Sequence, residues 1–205
     1  MSHAADPSTG PWRLFIALPL PEPLRQAILP WQRAAQRLLP EGLRWTPPEQ
    51  WHLTLRFLGD VDPEEVPLLT EALQTACAGQ RILRLSFEGC GCFPSPDRPR
   101  VLWLGLAGEL AALETFQSRV QQLTASWGQR EDRPFRAHLT LARIRETSPA
   151  ARQGLARVLP RLPVPPGLPW TADRVVLFRS ELHPQGAIHT PLHECVLMPA
   201  PPAGP

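Results

Sequence analysis

The tetrapeptide His-Leu-Thr-Leu occurs twice, as His52 to Leu55 and as His138 to Leu141. With 6 His and 11 Thr in the chain, chance placement gives only ~0.3 His-x-Thr matches, before identical leucine flanks are required. Each copy lies in an alternating apolar/polar run, so each reads as part of a half-buried strand. Side chains on a strand alternate faces, so His52 and Thr54 share one face and Leu53 and Leu55 point to the core. His138 and Thr140 stand in the same relation to Leu139 and Leu141. If the two halves are related by a pseudo-two-fold, two imidazoles and two hydroxyls surround one small group. A phosphodiester suits that setting. One histidine takes a proton from the nucleophile, the other protonates the leaving oxygen, and the hydroxyls bind the non-bridging oxygens.

Strand parity extends the constellation. Arg56 falls on the His52 face and Arg136 on the His138 face, so both are expected to reach phosphate; Arg143 has the opposite parity and needs a strand bend to contribute. Neither motif carries a third ligand for a catalytic metal, so no metal and no cofactor is expected. A second histidine group, His183, His189 and His193, has only Cys195 near it at ligand spacing. Surface or substrate-side roles fit it better than a metal site. Trp45, Trp51 and Phe57 flank the first motif and can stack on a base, but core packing accounts for each more simply. Cys77, Cys90, Cys92 and Cys195 include no Cys-x-x-Cys pair and read as reduced structural thiols.

Several absences exclude whole classes of chemistry. All 21 basic residues are Arg, since the chain has no Lys, and it has no Asn. That removes a P-loop NTPase, a Schiff base, a lysyl-nucleotide intermediate and a papain-like Cys-His-Asn triad. The net charge of +2 gives little long-range steering toward nucleic acid, so a local Arg cluster matters more.

The elements that must hold the motifs follow from periodicity and breakers. Strands are expected at Trp12 to Leu18, Leu43 to Thr46, His52 to Leu58, Ile82 to Phe87, Val101 to Leu106, Phe135 to Ile144, Trp170 to Phe178 and Pro191 to Met198. Helices are expected at Glu22 to Leu39, kinked or split at Pro30, at Asp62 to Ala78, at Glu109 to Trp127 and at Pro149 to Leu159. Cys90 and Cys92 fall in a Gly/Pro-rich loop on this reading. Several connections are too short for parallel crossovers, so the expectation is an α+β fold with antiparallel sheets. Residues 12–198 read as one domain, with disordered tails at 1–11 and 199–205. The 43% hydrophobic content supplies a core, yet no apolar run approaches the ~18 residues of a membrane span. A cytoplasmic monomer is the default expectation.

The sequence resembles the 2H phosphoesterase superfamily, specifically the LigT-like RNA 2′,3′-cyclic phosphodiesterases, also studied as 2′-5′ RNA ligases. The matching segments are RLFIALPLP from Arg13, HLTLRFLGD from His52, HLTLARI from His138 and LFRSELHPQG from Leu177. The resemblance implies a bilobal, pseudo-two-fold α+β fold, with antiparallel sheets lining a central cleft and helices outside. It implies metal-independent hydrolysis of 2′,3′-cyclic phosphate on RNA ends or nucleotides to a 2′-phosphomonoester. His52 would be the proton donor to the leaving ribose oxygen and His138 the base that activates water. Thr54 and Thr140 would hold the phosphate, with Arg143 as the Arg of the second motif. Where the family usually has an aromatic, often Tyr, this chain has His189. Two other readings use the same residues: ligation in the reverse direction, and a non-catalytic RNA- or nucleotide-binding module.

Overall fold

The computed structural model describes residues 10–39, 42–129, 133–144, 149–162, 168–183 and 186–199. Most of the two tails, 1–9 and 200–205, therefore lies outside the described residues. In chain order the elements are β1 (Trp12–Pro19), α1 (Glu22–Leu38), β2 (Leu43–Trp45), β3 (His52–Val61), α2 (Val66–Cys77), β4 (Leu83–Phe93) and β5 (Val101–Gly108). They continue with α3 (Leu110–Leu123), β6 (His138–Ile144), α4 (Pro149–Val158), β7 (Trp170–Ala172), β8 (Arg174–His183) and β9 (Gly186–Val196). Among the described residues the nine strands join one sheet, ordered β7-β4-β5-β6-β3-β1-β8-β9, and β2 also pairs with β6. The pairs between these strands are antiparallel, as the short connections require.

One hydrophobic cluster backs the sheet. It joins Leu14, Ile16 and Leu18 of β1, Leu53 and Leu55 of β3, and Leu139 and Leu141 of β6 to Leu24 and Ile28 of α1, Leu69 and Leu73 of α2, and Leu113 and Phe116 of α3. The two motif strands thus send their leucines into a common core, and their His and Thr to the other face.

Three local differences from the sequence expectation have physical causes. First, α1 runs unbroken through Pro30. Pro30 lies on the exposed side, where water can satisfy the carbonyl it leaves unpaired. The buried Leu24, Ile28, Trp31 and Ala35 straddle it. Burial of the larger three at about 2 kcal/mol each outweighs the roughly 3 kcal/mol cost of an internal proline. Second, β4 continues to Phe93, so Cys90 and Cys92 are strand residues rather than loop. An irregularity between Phe87 and Cys90 lets the ladder with β5 resume, and the Trp103 indole covers Gly91 where any side chain would collide. Third, β9 begins at Gly186, before the expected start at Pro191, so His189 sits in a strand paired with β8. The four cysteines are free thiols.

Candidate active site

The two motifs meet in the middle of the sheet. Leu53 of β3 is the direct antiparallel partner of Leu139 of β6. Extending that register one residue each way sets His52 beside Thr140 and Thr54 beside His138. The pseudo-two-fold therefore passes between the two leucines, and each imidazole faces the other motif's hydroxyl. Opposed side chains in such a pair start from Cβ atoms about 5 Å apart. One face of two adjacent strands thus carries all four polar groups.

Both rings are held in the same way. His52 Nδ1 lies 2.7 Å from the Gln50 carbonyl oxygen, and His138 Nδ1 lies 2.7 Å from the Arg136 carbonyl oxygen. A carbonyl oxygen can only accept, so each Nδ1 carries a proton. In the neutral ring Nε2 is then the basic nitrogen. The acceptor is two residues upstream in each case, so the pseudo-symmetry extends to the tautomer. Gln50 is itself tied down, because its side-chain amide donates to the Ala187 carbonyl of β9.

The arginines divide in a way that simple alternation does not give. In β3, Ala17 pairs with Thr54 and Ile16 with Arg56, so Leu55 is an extra residue in the ladder. In β6, Trp103 pairs with Thr140 and Leu102 with Ala142, so Leu141 is the matching extra residue. Such a bulge reverses the parity beyond it. Arg56 is therefore turned to the core side and is only 4% exposed. Its Nη1 donates to the Gln121 carbonyl and its Nη2 to the Trp127 carbonyl at 2.6 Å, which ties down the end of α3. The expectation that Arg56 binds phosphate is thus corrected: its guanidinium is spent on the back of the sheet. The same reversal brings Arg143 to the His138 face, exposed and close enough for its charge to act on His52. Arg136 is exposed just before β6, and only its carbonyl engages a motif residue among the described residues.

The rings around each histidine differ. Phe15 lies 4.8 Å from His52 between ring centroids, stacks on Phe178 at 5.1 Å, and meets His189 edge-on at 4.9 Å. His189 is 5.4 Å from His52. On the other side Phe93 meets His138 edge-on at 5.0 Å and packs on Trp103 at 5.3 Å. His52 is the more enclosed. Burial pushes its pKa down to about 4, helped by the positive charge of His189, His138 and Arg143 and opposed by the Gln50 carbonyl. Burial also lowers the pKa of His189. Among the described residues no three His, Cys, Asp or Glu side chains converge as a ligand set.

The family described as LigT-like phosphoesterase matches residues 18–103 and again 104–189, one match per motif. This chain belongs to that family. Among its relatives, the RNA 2′,3′-cyclic phosphodiesterase of Thermus thermophilus is 35% identical over 197 residues, covering 89% of this chain and 88% of that protein. The enzyme of the same name from Archaeoglobus fulgidus is 33% identical over 137 residues, covering 67% of this chain and 75% of that protein. Among solved structures, TT0787 of Thermus thermophilus superimposes with a TM-score of 0.72 at 31% identity, covering 90% of this chain and 97% of that one. E. coli LigT in complex with 3′-AMP gives 0.72 at 27% identity, covering 91% and 98%.

In this LigT-like chain the sequence reading missed the cleft aromatics Phe15, Phe178 and Phe93. Phe15 and Phe178 lie in strands whose apolar runs look buried on both faces, and Phe93 falls in a Gly/Pro-rich stretch that reads as loop, so no periodicity marks them as cleft residues. Of the flanking aromatics weighed for base stacking, Trp51 is buried, 2% exposed, while Phe57 is 46% exposed. Phe57 holds, five residues after His52, the place that Arg143 holds five residues after His138. Of the C-terminal histidines, His189 enters the cleft, His193 reaches Gln74 of α2 at 3.3 Å, and His183 is exposed. Among the described residues no helix is long and apolar enough to cross a membrane.

Proposed function

We propose that this LigT-like phosphoesterase hydrolyses the 2′,3′-cyclic phosphodiester of an RNA end or nucleotide to a 2′-phosphomonoester, without a metal. The observation that carries the reading is the matched pair of Nδ1–carbonyl bonds on two strands joined at Leu53 and Leu139. It leaves two Nε2 atoms as proton carriers on one face, with a hydroxyl beside each. The names of the Thermus and Archaeoglobus relatives support the substrate.

In this scheme His138 Nε2 takes a proton from water as the water oxygen attacks phosphorus. His52 Nε2 delivers a proton to the departing ribose 3′ oxygen, and the phosphate stays on the 2′ oxygen. Thr54 and Thr140 donate to the non-bridging oxygens, where charge grows in the transition state. Arg143 adds positive charge from the rim, and Arg136, exposed just before β6, is a second cation available to the substrate.

The test is turnover of 2′,3′-cyclic AMP in EDTA, with the product isomer identified by chromatography. Full activity in EDTA and release of 2′-AMP are expected. His52→Ala and His138→Ala should each lower kcat by about 10² to 10⁴, and the double variant should be far less than multiplicatively worse. A substrate with a better leaving group should partly rescue His52→Ala and not His138→Ala. Near-normal rates in folded His52→Ala and His138→Ala would place the chemistry elsewhere. Activity lost to EDTA and restored by zinc or manganese would end the metal-free scheme.

A further inference from the structure

A second anion subsite adjoins the motif residues. β2 and β3 lie in file along the same edge of β6, interrupted by the turn from Pro47 to Trp51. The β2 pairing sets Arg44 directly opposite Arg143. Both are exposed, and among the described residues neither guanidinium has a hydrogen bond or a carboxylate partner. Like charges placed directly opposite across an antiparallel pair destabilise the pairing. An anion held between them would remove that repulsion.

Their position says which anion. The bulge at Leu141 puts Arg143 on the His138 face, and the register puts Arg44 on that same face. Arg44 Nη2 reaches to 3.4 Å from the point where a Cβ would stand on Gly186, the first residue of β9. Three residues along β9, His189 packs beside His52. Arg44 therefore spans the rim between β6 and β9, next to the proposed site of hydrolysis and outside it. We propose that Arg44 and Arg143 together bind the internucleotide phosphate that precedes the cyclic end. The protein then selects RNA ends over cyclic mononucleotides. Two guanidinium forks suit a phosphodiester monoanion, which offers two unesterified oxygens.

The inference rests on the proposed hydrolysis, and the substrates separate the two. Three are compared: 2′,3′-cyclic AMP, the dinucleotide ApA ending in a 2′,3′-cyclic phosphate, and the same dinucleotide with a neutral methylphosphonate linkage. Wild type should favour the charged dinucleotide over the neutral one in kcat/KM by about 10-fold, the scale of a charge-assisted contact. Arg44→Ala should bring that ratio close to one, and Arg44→Gln should do the same. The dependence of log kcat/KM on log salt for the charged dinucleotide should become shallower by about 0.7 in either variant, the slope of one lost single-strand phosphate contact. Wild type turning over both dinucleotides equally, or a ratio unchanged in folded Arg44 variants, would overturn the subsite and leave the hydrolysis standing. No turnover of any of the three would overturn the hydrolysis itself.

Discussion

Adding a nucleotide product should charge His52. This ring packs against Phe15 and His189, and burial, helped by the charges of His189, His138 and Arg143, holds its pKa at about 4 instead of the usual 6.5. At neutral pH it is then uncharged and cannot donate a proton to a leaving oxygen. Restoring the ordinary value takes about 3 kcal/mol, at roughly 1.4 kcal/mol per pH unit. A phosphate monoanion about 4 Å from the imidazolium supplies about 4 kcal/mol at the effective dielectric of a partly buried site. The two energies are of the same order, so the bound anion is expected to arm the proposed acid.

The assay is the pH titration of the His52 Cε1–H resonance, assigned by comparison with His52→Gln, without ligand and with saturating 2′-AMP. The free value should lie near 4 and the bound value at or above 6.5. Between those two pH values the association constant should fall about tenfold for each unit rise in pH, because binding takes up a proton. Calorimetry in buffers of different ionisation enthalpy should count about one proton on that account, in addition to any taken up by the phosphate itself. A free His52 titrating near 6.5 would refute the effect of burial. A bound His52 still near 4 would refute the acid role and pass it to His138.

The same depressed pKa makes folding pH-dependent. The unfolded chain protonates His52 at about 6.5 and the native one near 4, so stability is fully present above 6.5 and falls with pH toward 4. Urea denaturation of His52→Gln should show that dependence reduced by up to about 3 kcal/mol; an identical pH profile would discount it. Arg56→Ala removes the donors to the Gln121 and Trp127 carbonyls and should cost about 2 to 4 kcal/mol in urea denaturation. Arg143→Ala should instead lower kcat/KM at an unchanged midpoint, and the reverse pattern would mean that the two arginines have been assigned to the wrong faces. Gly128 adopts φ +71 with the Leu58 carbonyl pressed against it. Gly128→Ala should therefore destabilise by about 1 to 3 kcal/mol, and a neutral result would show that β3 and its neighbour can move apart.

What the sequence disclosed and what it hid divide at one backbone feature. His52, Thr54, His138 and Thr140 precede the extra residue in their strands, so period-two alternation puts them on the correct face. Arg56 and Arg143 follow it, and each is the opposite of what alternation gives. Leu55 and Leu141 are ordinary strand leucines in type and spacing, and nothing in their identity announces a bulge. The repeat itself held the missing clue. A family Arg in the second motif has a use only if the strand bends, and a bend in one copy of an internal repeat is expected in the other. Applied to the first copy, that argument would have removed Arg56 from the cleft and brought Phe57 into it. The β9 start was hidden differently: Pro191 looks like a strand boundary, but it falls at the register shift opposite Leu177 and Phe178, where a missing N–H is tolerated.

Two identical tetrapeptides cannot assign themselves different tasks, and neither can two identical Nδ1–carbonyl bonds. The assignment has to come from what breaks the pseudo-symmetry. Around His52 stand Phe15, Phe178 and His189, whose enclosure of the ring favours its neutral form. Around His138 stand Phe93 and the end of β4, with Arg143 five residues on, where the first motif has Phe57. The enclosed, apolar side is the one on which a bound phosphate changes a histidine's charge most, since Coulomb energy grows as water is excluded. The Arg143 side offers a charge that is present before and after binding. That charge bears on His52, whose pKa it helps to lower. A histidine charged only by its substrate suits an acid that should be armed only when there is a bond to break. The proposed roles of His52 and His138 rest on these different neighbours, and exchanging Phe57 and Arg143 between the two motifs is the perturbation that should weaken the distinction most directly.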